Sequence, residues 1–240
     1  MVQIGKFHIR DAGTSPIDLD AIMGSLDASV KHLASNGNGE QWGPKLFSEK
    51  DGYREDVGED LKNSENYRLT GQGQATRTFI AEIEDANVED GLPRRVDKNG
   101  VSWLPVGNLE ISENNLGDYF TDMVDLRPYL EEAKSIEGGF LCIVFVMSDV
   151  RAGERAKGSG AAQVEYAKQY ARERGMKALY LDCWVGGTQG LVRIHTNWRL
   201  FFRAAKNKAH LLARPSVQDV AVSTGQDKVS QVPRVEAAVI

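Results

Sequence analysis

No stretch of this chain stays apolar for the ~18 consecutive residues that a membrane span needs. Its start, MVQIGKFHIRDAG, places no apolar run behind a basic one, so neither a membrane anchor nor a signal peptide is expected. Cysteine is nearly absent: Cys142 and Cys183 are the two in 240 residues. Both lie in apolar runs, which suits reduced core thiols better than a disulfide framework or a metal knuckle. Histidine is also scarce, and His8, His32, His195 and His210 show neither metal-ligand spacing nor a nucleophile partner, so no metal is expected. Basic charge is in deficit as well. A net charge of -5 argues against a general nucleic-acid binder, which needs a basic surface. These absences together point to the cytoplasm, with the nucleus left open. No internal repeat is visible.

What is present suits a globular protein with a sizeable core: 41% hydrophobic and 26% charged residues are ordinary values for one. Val2 to Arg10 alternates loosely through Ile4, Phe7 and Ile9 and predicts a first strand. Ser15-Pro16-Ile17-Asp18 then reads as an N-cap, a proline at the first helical position and an acid three residues on. The helix behind it carries Leu19, Ile22, Leu26, Val30 and Leu33 on one face, a spacing that packs on a sheet. Gly37 and Gly39 close it. From Ser48 to Gly73 there is little periodicity, and mostly loop is expected, with room for one short helix. Thr76 to Ile83 and Val101 to Ile111 predict two strands, antiparallel and joined by a charged connection with turns at Asp90-Gly91 and Asn99-Gly100. A short helix is expected around Pro128 to Ala133.

The stretch with most chemistry in it runs from Phe140 to Gly175. An apolar strand (Phe140 to Met147) turns through Gly153, Gly158 and Gly160 into a helix with Ala161, Val164, Ala167 and Ala171 inward. Ala178 to Val185 follows as another strand, so strand-helix-strand predicts a parallel pair. A strand that turns through glycines into a helix N-terminus offers backbone N–H groups and the positive dipole end to an anion. A P-loop would need Lys then Ser or Thr after the last glycine, and Gly158 is followed by Ser159 and Gly160. A dinucleotide fingerprint would need a small residue where Gln163 stands.

The pattern that remains, Arg155-x-x-Gly158-x-Gly160-Ala161, resembles the pyrophosphate loop of the GNAT superfamily of acyl-CoA-dependent N-acetyltransferases. The element order from Ile4 to Val185, the opening Phe7-His8-Ile9-Arg10-Asp11-Ala12, the Asp-Leu-Asp helix start and Gln41-Trp42 are similar to that family too. The resemblance implies an α/β fold: a mixed, mostly antiparallel sheet with a parallel βαβ unit and a V-shaped splay, flanked by helices. It implies acetyl-CoA as co-substrate, its pyrophosphate on the N–H groups of Ala156, Lys157, Gly158, Ser159, Gly160 and Ala161, aided by the helix dipole and the cations of Arg155 and Lys157. It implies pantetheine along Phe145, Val146 and Met147, a backbone N–H there as oxyanion donor, and direct attack by an amine.

The base that frees this amine of its proton is sought among Glu110 and Asp149, with Glu82 and Glu84 behind them. An exposed strand carboxylate is the competing reading for each. Trp42 lines an acceptor pocket or fills the core. Beyond Val185 the chain departs from the family: Ile194 to Trp198 offers no Tyr as proton donor, and neither a Gly-Phe pair nor a strand pair follows. Leu191 to Gln218 is a basic stretch without acids and Arg214 to Ile240 a polar one. The expected organisation is an acetyltransferase domain over residues 1–205 and a disordered tail over 206–240. The expected function is transfer of acetyl from acetyl-CoA to an amine. The alternative is a catalytically impaired protein of the same fold that binds CoA or a partner. The acceptor amine and the oligomeric state are left open.

Overall fold

The computed structural model describes residues 1–87, 89–117, 124, 127–181, 202–204 and 211–213. The elements follow in the order β1 (Val2–Ile4), β2 (Phe7–Asp11), α1 (Pro16–Ser35), a 3-10 turn at Phe47–Glu49 and α2 (Tyr53–Thr70). Next come β3 (Thr76–Glu84), β4 (Arg95–Val96), β5 (Ser102–Glu113), α3 (Arg127–Lys134), β6 (Phe140–Ser148) and a 3-10 segment at Val150–Arg155. The described chain ends with α4 (Ser159–Glu173), β7 (Ala178–Leu181), β8 (Phe202–Ala204) and β9 (Leu211–Ala213). The mixed sheet runs in the order β1-β2-β3-β5-β6-β7, with β4 paired to β5. An α/β fold with helices flanking a mixed sheet is therefore what the chain adopts.

The Cα framework falls into two compact units. The first holds Met1–Glu110 and Val146–Tyr166, and the second Ile111–Phe145 with the residues from Ala167 on. In the first unit, Ser15 caps α1 by accepting from the Asp18 N–H, with Pro16 in the first turn. Ile22, Leu26, Val30 and Leu33 face inward from it, as their spacing predicts. The sheet of this unit buries Ile9, Phe79, Ile80, Leu104 and Val106, all at 1% exposure or less. The Phe79 ring meets Tyr166 edge-on at 4.8 Å. In the second unit, Leu116, Ala133, Phe140, Cys142, Ala178 and Tyr180 form one cluster. Cys142 is a buried free thiol there. The parallel pair β6–β7 aligns Phe140 with Ala178 through Ile143 with Leu181.

Four readings of the sequence are corrected. The first strand is two, because Ile4 and Phe7 pair across a two-residue turn in which Gly5 takes φ 59, the positive value such hairpin turns require at that position. The segment from Ser48 to Gly73 is mostly helix, since α2 fills 18 residues of it. Its buried side chains are Leu61 and Ser64, and the Ser64 hydroxyl accepts from the Thr78 N–H at 2.8 Å. A helix docked partly through a hydroxyl leaves little apolar period to detect. On α4, Val164, Ala167 and Ala171 are buried as expected, but Ala161 is exposed and Gln163 is buried in its place. A strand pair does follow β7: β8 and β9 align Phe202 with Ala213 in antiparallel register. The strand end at residues 182–185, the splay beside it, the 195, 198 and 210 positions and most of the 206–240 tail lie outside the described residues.

Candidate functional site

The glycine loop lies within the first unit, between the end of β6 and the start of α4. Asp149 starts it: its carboxylate accepts the Arg151 N–H at 3.0 Å and caps the 3-10 segment at Val150–Arg155. The Ala156, Lys157 and Ser159 amides donate to the Gly153, Glu154 and Ala156 carbonyls, and Gly160 N–H donates to Ser148 Oγ at 3.2 Å. This leaves Gly158 and Ala161 as the amides of the 156–161 run without a partner among the described hydrogen bonds. Gly158 has φ 91, a value L side chains rarely adopt, and directly behind it α4 runs for 15 residues. A glycine turn ahead of a helix N-terminus is suited to an anion. It is narrower than the sequence implies, because most of the amides are already spent within the loop.

A polar lock holds the helix start from beneath. The Ser159 hydroxyl lies 2.7 Å from Ser148 Oγ and 3.2 Å from the Val106 carbonyl. Gln163 is fully buried and donates through Nε2 to the Met147 carbonyl at 3.0 Å. Gly107 makes room for this arrangement. A Cβ there would stand 2.5 Å from both Gln163 Nε2 and the Met147 carbonyl oxygen. None of these partners is marked by a motif. A glutamine where a helix would bury an apolar residue was the one signal available.

The cations expected to serve the anion are committed elsewhere. Arg155 pairs with Asp85 through Nη1 and with Asp90 through Nη2, each at 2.6 Å. Lys157 and Glu154 form an exposed pair at 3.3 Å, which is worth little in water. Arg94 joins Asp85 and Asp90 at 3.0 and 2.7 Å.

Both aspartates stand below the usual carboxylate range. At Asp85, partial burial pushes upward but is outweighed by the Asn87 amide, Arg94 and Arg155. At Asp90 the Arg94 guanidinium and the Leu92 amide do most of the lowering. A carboxylate whose pKa is lower folded than unfolded adds stability above its unfolded value, and loses it as pH falls through the folded one. Thermal denaturation should therefore show stability declining as pH drops below about 4. An Asp90→Asn protein should lose less over that interval than the parent, and equal losses would remove this cluster from the acid transition.

The candidate bases are placed as follows. Asp149 is 3% exposed and lines a small pocket with Ala21, Ile22, Ser25, Gly107 and Asn108. It is not the exposed carboxylate that the competing reading describes. Both its oxygens accept from the Arg151 guanidinium, at 2.7 to 3.1 Å, and Arg151 reaches on to the Ala21 carbonyl. Glu110 is half-buried on β5 and does not line this pocket. Glu84 is exposed, whereas Glu82 is fully buried between Arg10 and Arg95, a structural position that corrects its reading as a surface group. Trp42 packs edge-on against Phe47 at 5.1 Å. His8 stacks at a tilt on Trp103 at 4.5 Å. Among the described residues no group of three His, Cys, Asp or Glu is placed to hold a metal ion, and no helix is long and apolar enough to cross a membrane.

Of the strand residues expected along pantetheine, Phe145 is half-buried, while Val146 and Met147 are buried. Among the described residues the β6–β7 register runs from Phe140 to Ile143.

No protein-family model matches the chain, and no curated protein matches it. Solved structures do. A GNAT-family acetyltransferase from Listeria monocytogenes superposes with a TM-score of 0.53 at 15% identity, over 88% of this chain and 95% of that one. A ribosomal-protein-S5-alanine acetyltransferase from Vibrio fischeri gives a TM-score of 0.51 at 12% identity, over 89% and 94% of the two chains. Likeness at such low identity is a likeness of architecture, and the chain accordingly has the fold of the GNAT acetyltransferases.

Proposed function

We propose that this protein is an acyl-CoA-dependent N-acyltransferase that moves acetyl from acetyl-CoA to an amine by direct attack. The observation that carries the reading is the loop Arg155-x-x-Gly158-x-Gly160-Ala161, set between β6 and the N-terminus of α4 on an acetyltransferase fold. In this reading the pyrophosphate sits on the Gly158 and Ala161 amides and the α4 dipole. Pantetheine runs along Phe145 to Met147, and a backbone N–H there stabilises the thioester oxyanion as the amine attacks. The amine nitrogen bonds to the acetyl carbon, the C–S bond breaks and CoA leaves as the thiolate, which takes a proton from water. The proton of the amine passes to a carboxylate, directly or through water. Asp149 and Glu110 are the candidates.

A second reading, a CoA-binding protein without turnover, is favoured by one observation: Asp149 holds Arg151 with both oxygens. Thiol release from acetyl-CoA with a panel of small amines and peptides, beside calorimetric titration with CoA, separates the two. Release with any amine supports the enzyme, binding without release supports the second reading, and absence of both overturns the CoA assignment.

A further inference from the structure

The loop's arginine has a geometry that the proposed function does not use. Arg155 spans from the loop to the β3–β4 connection, reaching partners 70 and 65 positions away in sequence. Its Nε donates to the Ala152 carbonyl at 3.2 Å, which anchors the guanidinium to its own loop as well. The connection it grips is itself built to be gripped. Asp85 accepts the Asn87 N–H and Asp90 the Leu92 N–H. The Arg94 side chain, 5% exposed, donates to the Asp85 and Leu92 carbonyls besides both carboxylates. Two arginines and two aspartates sum to no net charge. Such a cluster offers an anion little attraction, but a network of several partly exposed charges can hold two segments together where an isolated surface pair does not.

We infer that Arg155 is a positioning residue: Asp85 and Asp90 fasten it, and through it they hold the glycine loop in the shape that presents the Gly158 and Ala161 amides. That the loop receives a CoA pyrophosphate rests on the function proposed above; the fastening does not. A counter-charge role for Arg155 makes the opposite forecast. If Arg155 met the ligand, removing an aspartate would free its charge, tighten CoA binding and steepen its salt dependence. If Arg155 is fastened, removing an aspartate loosens the loop and weakens binding.

Asp90→Asn is the variant of choice because Asn keeps the turn to the Leu92 N–H while removing the charge. Fastening predicts CoA binding by Asp90→Asn weakened about tenfold, within the range of coupling between contacting groups, with no steeper salt dependence. Arg155→Met should weaken it similarly, and the double variant should show no additive loss. Tighter, more salt-sensitive binding by Asp90→Asn, or full additivity, overturns the inference. Amide hydrogen exchange without ligand supplies an independent readout: amides 153–161 should exchange faster in both variants while those of β3 and β5 do not change. If the parent protein fails to bind CoA, the proposed function falls and exchange alone decides. Faster loop exchange upholds the fastening, and unchanged exchange overturns it.

Discussion

Replacing Glu82 with alanine is expected to cost about 3–5 kcal/mol of unfolding free energy, the usual cost of leaving a buried charge without its partner. The Glu82 side chain is fully buried and accepts from Arg10 Nε at 2.8 Å and Arg95 Nε at 3.0 Å. The Arg10 side chain is 14% exposed and also pairs with Asp18, 2.6 Å away. Burial alone would lower the proton affinity of Arg10, but Asp18 and Glu82 more than offset it and hold the guanidinium charged. Loss of Glu82 removes one of the two negative charges that balance this arginine, and leaves Arg95 beside Trp103 with no carboxylate of its own on β3. The arginines cannot shed their charge to escape, so the penalty falls on folding. Urea denaturation of Glu82→Ala measures it, with the exposed Glu59–Lys62 pair as comparison, where truncation should change stability by less than about 1 kcal/mol. A Glu82→Ala loss as small as that of the exposed pair would mean that water reaches the cluster.

The same cluster shows where the sequence stopped being readable. Helix α1 announces itself through Ser15, Pro16 and a three-and-four spacing because each of those signals is local. The parallel pair at β6 and β7 is legible for a similar reason, since an apolar strand on either side of a helix admits few arrangements. The charges are different. Nothing local tells that Arg10, Asp18, Glu82 and Arg95 meet, nor that Arg155 crosses to Asp85 and Asp90. Their meeting is a property of the strand order, which places β2 beside β3. Helix α2 escaped for another reason. It is secured by tertiary contact at Leu61 and Ser64, so propensity and period had little to report. For the candidate site the glycines mark the loop, while the residues that hold it, Ser148, Ser159 and Gln163, are polar groups buried inside the protein and bonded there through Ser148 Oγ, Ser159 Oγ and Gln163 Nε2. Such groups look in sequence like surface residues.

Substituting Gly158 should weaken CoA binding about five- to 150-fold while leaving the protein folded. The reason is backbone conformation rather than space. Gly158 has φ 91, and a Cβ added there would meet the Phe7 ring at 3.6 Å, an ordinary contact. An alanine therefore fits in volume but not in dihedral angle. Holding a non-glycine residue in such a region costs roughly 1–3 kcal/mol, and the loop can shed most of that cost by turning the 158 peptide. Turning it removes the Gly158 N–H from the position where an anion would find it. Restoring the loop on binding then takes the strain out of the affinity, about five- to 150-fold at 1.4 kcal/mol per decade. Calorimetric titration of Gly158→Ala with CoA reads this directly, and the loss should fall in that range because the cost to alanine is set by φ. Gly58, inside α2 with open space around it, is the matched control. Gly58→Ala should stabilise the helix by up to about 1 kcal/mol and leave CoA binding unchanged. Wild-type affinity in Gly158→Ala would move the anion away from this turn, and with it the assignment of the loop.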